Sequence, residues 1–345
     1  MISATERAAY TVVVSRGQSR NPQKRAIEQQ ITDAATHIEG VDVLVVPHLY
    51  DLSKTSEAYQ RLADAEGHLI VFSWIYSRAA HWVLDRNGIQ GQWGGSEIGD
   101  AEQGAGEQDS DESTAAPDGE STESPAAVDR VTDLYPRPDR LVHCIDLKLA
   151  GDAAPFLREM KRIIEPAAPQ AERPSSSTSL PIVGGKLVEV EESTSRRWYP
   201  VIDYSRCTNC MECVDFCLFG VYGIDGVENI LVEQPDNCRK GCPACSRVCP
   251  ENAIIFPQHK APAIAGAEVE GDEGFKIDLS QLFGAPTGND DPIATAARER
   301  DEQLLLAGRD TVGIDDQLLK RQQQHANKPK DSLDRLIDSL DDFDL

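Results

Sequence analysis

Short apolar runs alternate with stretches of helical period through the first ninety residues. TVVV at 11–14, VDVLVV at 41–46 and HLIVFSWIY at 68–76 read as strands buried on both faces, being short, continuous and rich in β-branched residues. Between them, NPQKRAIEQQITDAATHI and SKTSEAYQRLADA open with polar residues and a Pro or Ser, then place apolar residues at helical spacing. SRAAHWVLDRNG is a third helix that stops at Asn87 and Gly88. A fourth strand, RLVHCIDLKL, begins at Arg140 and leads into a helix, APFLREMKRII. Strands alternating with helices predict an α/β domain with a small parallel sheet and right-handed crossovers, in three layers, over residues 1–95 and 130–165.

That pattern is interrupted at 96–129. The stretch has almost no large apolar residue and cannot bury enough to offset its ordering entropy, so it reads as a disordered acidic insertion. Pro and Ser mark 166–181 as a linker. Residues 261–345 are again polar and acidic and read as a largely disordered tail. Near its end Leu333, Leu336, Ile337 and Leu340 share one helical face, an amphipathic segment that could pack on its own protein or dock a partner groove.

Charge follows the same division. The net charge is -24, yet residues 97–129 alone hold eleven acids and no base, and 267–345 hold nineteen acids against nine bases. The acidity therefore belongs to solvated segments, and it argues against a nucleic-acid partner. No basic segment followed by an apolar run opens the chain, and the longest apolar stretch, 69–76, is too short to span a bilayer. The expectation is a cytoplasmic protein without a membrane span.

The chemistry is concentrated in RCTNCMECVDFCLFGVYGIDGVENILVEQPDNCRKGCPACSRVCP, residues 206–250, which holds eight of the nine cysteines. The first half reads Cys207-x2-Cys210-x2-Cys213-x3-Cys217 and the second Cys238-x3-Cys242-x2-Cys245-x3-Cys249-Pro250. Two-residue gaps let a tight loop wrap three thiolates around a cubane 4Fe-4S cluster and aim backbone N–H groups at its sulfides. Disulfides would require an oxidising compartment. Structural zinc sites show paired C-x2-C knuckles with a longer spacer, not four cysteines in eleven residues. The C-x3-C-x2-C spacing of radical SAM enzymes is present, but no large barrel follows it.

The stretch from Trp198 to Pro257 resembles a bacterial-type two-cluster ferredoxin, including the lead-in WYPVIDYSRC and the tail CPENAIIF. The resemblance implies an α+β dicluster domain over 182–260 with two [4Fe-4S] clusters as cofactors. One would be held by Cys207, Cys210, Cys213 and Cys249, the other by Cys238, Cys242, Cys245 and Cys217. Two departures from the family pattern are Leu218, where Pro is usual, and the extra residue between Cys238 and Cys242. LFGVYGI still supplies an apolar strand, expected to pair with the AIIF strand.

With every iron thiolate-bound, no coordination site is open to substrate, so the expected work is one-electron transfer. No Ser/His/Asp or Cys/His set can be assembled, and no catalytic residue is assigned. The chain reads as a ferredoxin-like electron carrier exchanging electrons with redox partner proteins, its α/β domain docking them. The alternative is the electron-input subunit of an oxidoreductase whose α/β domain binds substrate or flavin. Arg16, Gly17, Gln18, His48, Ser77 and Arg78 would line the crevice at the carboxyl ends of the strands. Cys144, His81 and Trp82 read as core residues.

Overall fold

Val12, Val13 and Val14 are completely buried, so the strand that carries them is covered on both faces. The computed structural model describes residues 10–100, 130–165, 186–267 and 292–313. Contacts divide it into two compact units. One holds 10–100, 136–165 and 186–197 together with 265–267; the other holds 130–135, 198–264 and 292–313. Among the described residues no helix is long and apolar enough to cross a membrane.

The first unit is built on a six-stranded parallel sheet. Its strands are β1 (Tyr10–Ser15), β2 (Val41–Val46), β3 (His68–Ser73), β4 (Gln92–Gly94), β5 (Leu141–Asp146) and β6 (Leu187–Glu189), in the order β4-β5-β3-β1-β2-β6. Val12 lies between Val43 and Ile70, which places the buried residues of three strands in one row. Helices α1 (Pro22–Thr36) and α6 (Ala154–Ile164) bury Ile27, Ile31, Phe156 and Met160 against Val12, Val43, Ile70 and Phe72. The Asn21 side chain accepts from the Gln23 amide at 2.9 Å to start α1, and Ser56 caps α2 (Glu57–Asp64) through the Tyr59 amide at 3.2 Å. Helix α3 (Ser77–Arg86) packs against β3 and β5.

The four strands expected from the sequence are present, with two more at the edges. Each edge strand has three residues, and several are exposed, so neither shows a buried apolar run. β6 pairs with β2 at Val43–Leu187, so the chain just before the cysteines belongs to this sheet. The acidic stretch begins with a short helix, α4 (Glu97–Asp100), whose Glu97 amide donates to the Glu159 carboxylate at 2.9 Å. Its remainder, the linker and the amphipathic segment at 333–340 lie outside the described residues.

The second unit contains two antiparallel ribbons: β7 (Val201–Ile202) with β10 (Ile254–Ile255), and β8 (Tyr222–Ile224) with β9 (Ile230–Val232). This corrects the expected pairing of the LFGVYGI and AIIF strands. The Asp225 carboxylate accepts from the Val227 and Asn229 amides at 2.9 and 2.8 Å, closing a hairpin between near neighbours at small entropic cost. The AIIF strand is left to the lead-in strand. Two short helices, α7 (Glu212–Phe216) and α8 (Ala244–Val248), each follow a cysteine loop. α9 (Pro262–Ala265) contributes Ile264, whose carbonyl accepts from the Phe256 amide at 2.8 Å.

Two pieces of chain distant in sequence complete this core. α5 (Val131–Leu134) buries Val131 beside Cys207, and the Val131 amide donates to the Cys207 carbonyl at 3.1 Å. α10 (Pro292–Leu306) lies in the expected acidic coil and packs on α8, burying Ile293 and Ala296 against Phe216, Cys242, Ala244 and Val248. Its buried side mixes Ile293, Arg300 and Leu304 with the small Ala296 and Ala297, a weak apolar signal in a charged context.

Candidate metal centre

The first cysteine loop is launched by Asp203. Its carbonyl accepts from the Cys207 amide at 3.0 Å, and its buried carboxylate accepts from the Ser205 amide at 2.9 Å. Asn209 (φ +52°) and Met211 (φ +66°) then take left-handed backbone, which residues with a side chain rarely adopt. Asn209 is pinned there by the Ile230 amide, which donates to its side-chain carbonyl at 3.2 Å. The second loop turns at Gly241 (φ +85°), where glycine carries no such strain. That is how the additional residue between Cys238 and Cys242 is accommodated.

The helices place the remaining thiols in parallel fashion. Cys213 lies in α7 and Cys245 in α8, while Cys217 and Cys249 are the residues that end those two helices. α7 packs against α8. Each terminal cysteine thereby reaches the other loop. One cavity is lined by Cys207, Cys210, Cys213 and Cys249, and a second by Cys217, Cys238, Cys242 and Cys245. All nine cysteines are free thiols. Among the described residues no three His, Cys, Asp or Glu side chains converge as ligands of one metal ion. Each quartet of thiols rings a cavity, and a soft thiolate donor set of this kind suits iron and sulfide.

Backbone and side-chain donors face the sulfurs. The Ala253 amide donates to Cys249 Sγ at 3.3 Å, and the Tyr222 hydroxyl to Cys245 Sγ at 3.1 Å. Amides of Asn209 and Glu212 serve Cys207 and Cys210, and those of Phe219, Gly220 and Val221 serve Cys217. Such donors favour a thiolate and a reduced cluster. Without a cluster, burial dominates: it pushes the Cys207 and Cys242 thiols up to about 11, and Cys213, Cys238 and Cys245 higher still. Empty thiols are therefore protonated at neutral pH, and ligation must release protons. Each quartet has two buried thiols and two half-buried ones.

Tyr222, Ala253 and Glu212, the last buried in the first cavity's lining, were not singled out by sequence reasoning. Nothing in a single sequence distinguishes them from ordinary core residues.

No family model matches this chain, and no solved structure matches it. An uncharacterized ferredoxin of Methanocaldococcus jannaschii is 50% identical over 66 residues, which is 19% of this chain and 44% of that protein. One segment of the chain is similar to a ferredoxin. The chain spans less than half the length of this curated relative, and the likeness supports a ferredoxin-like domain in that segment.

The crevice of the first unit is occupied by the chain itself. β1 lies between β2 and β3, so the connections leave it in opposite directions, the place where open sheets hold ligands. There Trp74 lies against Gly17, and its indole N–H donates to the buried Glu28 carboxylate at 2.8 Å. Arg25 and the Gly17 amide also donate to Glu28, each at 2.8 Å. Arg16 pairs with Glu189 at 3.1 Å. Gln18 donates to Asp51 and accepts from Arg196 at 2.9 Å, while His48 lies 3.4 Å from Asp51. Burial lowers the pKa of His48. Ser77 opens α3, and Arg78 is buried. Cys144 is buried, which raises its thiol far above the reactive range; His81 and Trp82 are packed edge to face at 5.0 Å.

Gly17→Ala tests this packing. Its Cβ would lie 2.7 Å from Trp74 Cδ1, and Trp74 is fixed by Glu28 on one side with Lys24 over its ring at 4.2 Å. The substitution is expected to destabilise the first unit by about 1–3 kcal/mol, seen as an earlier melt of tryptophan fluorescence. An unchanged melt would mean that the indole is free to move.

Proposed function

We propose that this protein is an electron carrier holding two [4Fe-4S] clusters in a ferredoxin-type arrangement. Cys207, Cys210, Cys213 and Cys249 would hold one cluster, and Cys217, Cys238, Cys242 and Cys245 the other. The observation that carries the reading is the division of eight cysteines into two four-thiol cavities, each drawing three thiols from one loop and one from the other. When bound, each cluster would take up and give back one electron without opening a site for substrate.

The protein's own groups prepare that exchange. Aimed amides and the Tyr222 hydroxyl favour the thiolate, the buried thiols exclude water, and the half-buried Cys210, Cys249, Cys217 and Cys238 give each quartet an accessible side. Docking of a redox partner by the α/β unit belongs to the same proposal. The reading in which that unit holds flavin or substrate at the sheet's crevice is not favoured, because Trp74 and Gln18 fill the place with contacts of their own.

The test is reduction of the anaerobically purified full chain with dithionite, followed by mixing with an oxidised one-electron acceptor such as methyl viologen or cytochrome c. Bleaching near 400 nm and its stoichiometric recovery as the acceptor is reduced are expected. A chain that binds iron but neither bleaches nor passes electrons on would overturn the carrier reading.

A further inference from the structure

The two thiol quartets have surroundings of opposite charge. Glu212 and Glu251 line the first cavity, and Asp203 is buried at the foot of its loop. Their bases are more exposed: Arg130 meets Glu251 at 2.7 Å, and Arg206 lies 3.6 Å from Asp203, each with about a third of its side chain in solvent (35%). Arg239 and Arg300 line the second cavity. Arg300 comes from α10, with only 7% of its side chain exposed, and its guanidinium lies 4.5 Å from the centre of the Phe216 ring. Asp301 at 3.0 Å and the Gly313 carbonyl hold it in place. Glu299 faces the same region, with its carboxylate engaged by Arg247 at 2.9 Å.

Reduction adds a negative charge to a cluster, so a nearby cation favours it and a nearby anion opposes it, most strongly where water is excluded. We propose that the cluster of Cys217, Cys238, Cys242 and Cys245 has the higher reduction potential of the two, and that Arg300 is a positioning residue that sets the difference. The inference rests on the two-cluster reading above. Electrons that enter at the acidic quartet then collect at the basic one.

The carboxylate of Glu299 is neutralised by Arg247, which meets its two oxygens at 3.1 and 2.9 Å. No part of the cysteine spacing carries this charge difference, because Arg300 lies 51 positions beyond Cys249, the last ligand.

The experiment is a potentiometric titration of the full, anaerobically loaded chain, followed by electron paramagnetic resonance, with iron counted on the same samples. The unaltered chain should show two one-electron steps. Arg300→Met should weaken reduction at the higher step at least tenfold, which is about 59 mV for a one-electron couple, and leave the lower step in place. Arg300→Lys should restore most of the loss. Glu212→Gln should move the lower step upward. The exposed Arg239→Gln gives a variant that spares the packing of α10 and should lower the higher step by less. Eight bound irons with a higher step unmoved by both arginine variants, or a lower step that moves in its place, would overturn the inference alone. Four bound irons in the unaltered chain would overturn the two-cluster reading beneath it.

Discussion

Cys217→Ala is expected to cost the cluster held by Cys238, Cys242 and Cys245, not the one held by the loop in which it sits. Iron per chain should fall from about eight to about four. Cys249→Ala should do the same at the other quartet. Double variants make the assignment unambiguous. Cys217→Ala with Cys238→Ala removes two ligands of one quartet and should still leave about four irons, whereas Cys217→Ala with Cys249→Ala should leave almost none. Almost no iron in both double variants would mean that each run of four cysteines closes on itself. The physical basis is the position of both residues at the ends of α7 and α8, two helices packed together, from which each thiol lines the other loop's cavity.

Removing the clusters should unfold one unit and spare the other. The second unit has two ribbons with strands of two or three residues and several helices of five residues or fewer, and its core counts Cys207, Cys213 and Cys245 among its buried members. Chelation leaves those thiols protonated around two cavities, and a small core of this kind is seldom sufficient without its metal. Hydrogen exchange measured before and after oxidative chelation should show amides of 198–264 losing nearly all protection. Amides of β1, β2 and β3 should keep theirs, because their buried rows of Val12, Val43 and Ile70 are independent of the clusters. Persistent protection in both units would show that the second core is stable on its own.

Much of this was legible in the residues themselves. The central strands are continuous apolar runs, which only a sheet covered on both faces explains, and Asn21 and Ser56 mark helix starts by their capping chemistry. The cysteine spacing separates the octet into two loops, and the resemblance to a ferredoxin suggested the exchange of Cys217 and Cys249.

What escaped depends on long-range contacts. β4 and β6 are too short and too exposed to announce themselves, and Ile293 and Ala296 of α10 acquire meaning only against Phe216 and Cys242. The hairpin of β8 and β9 depends on a carboxylate folding back onto its own loop, a local event that overrode an apparent match between apolar strands. The apolar run 68–76 predicts Trp74 within a strand, but β3 ends at Ser73 and the indole closes the crevice that the topology would otherwise open.

Whether one chain holds two clusters is tested most directly by iron and acid-labile sulfide analysis of the full chain after strictly anaerobic purification. Two clusters require about eight atoms of each per chain. About four of each, or zinc in place of iron, would contradict the two-cluster reading.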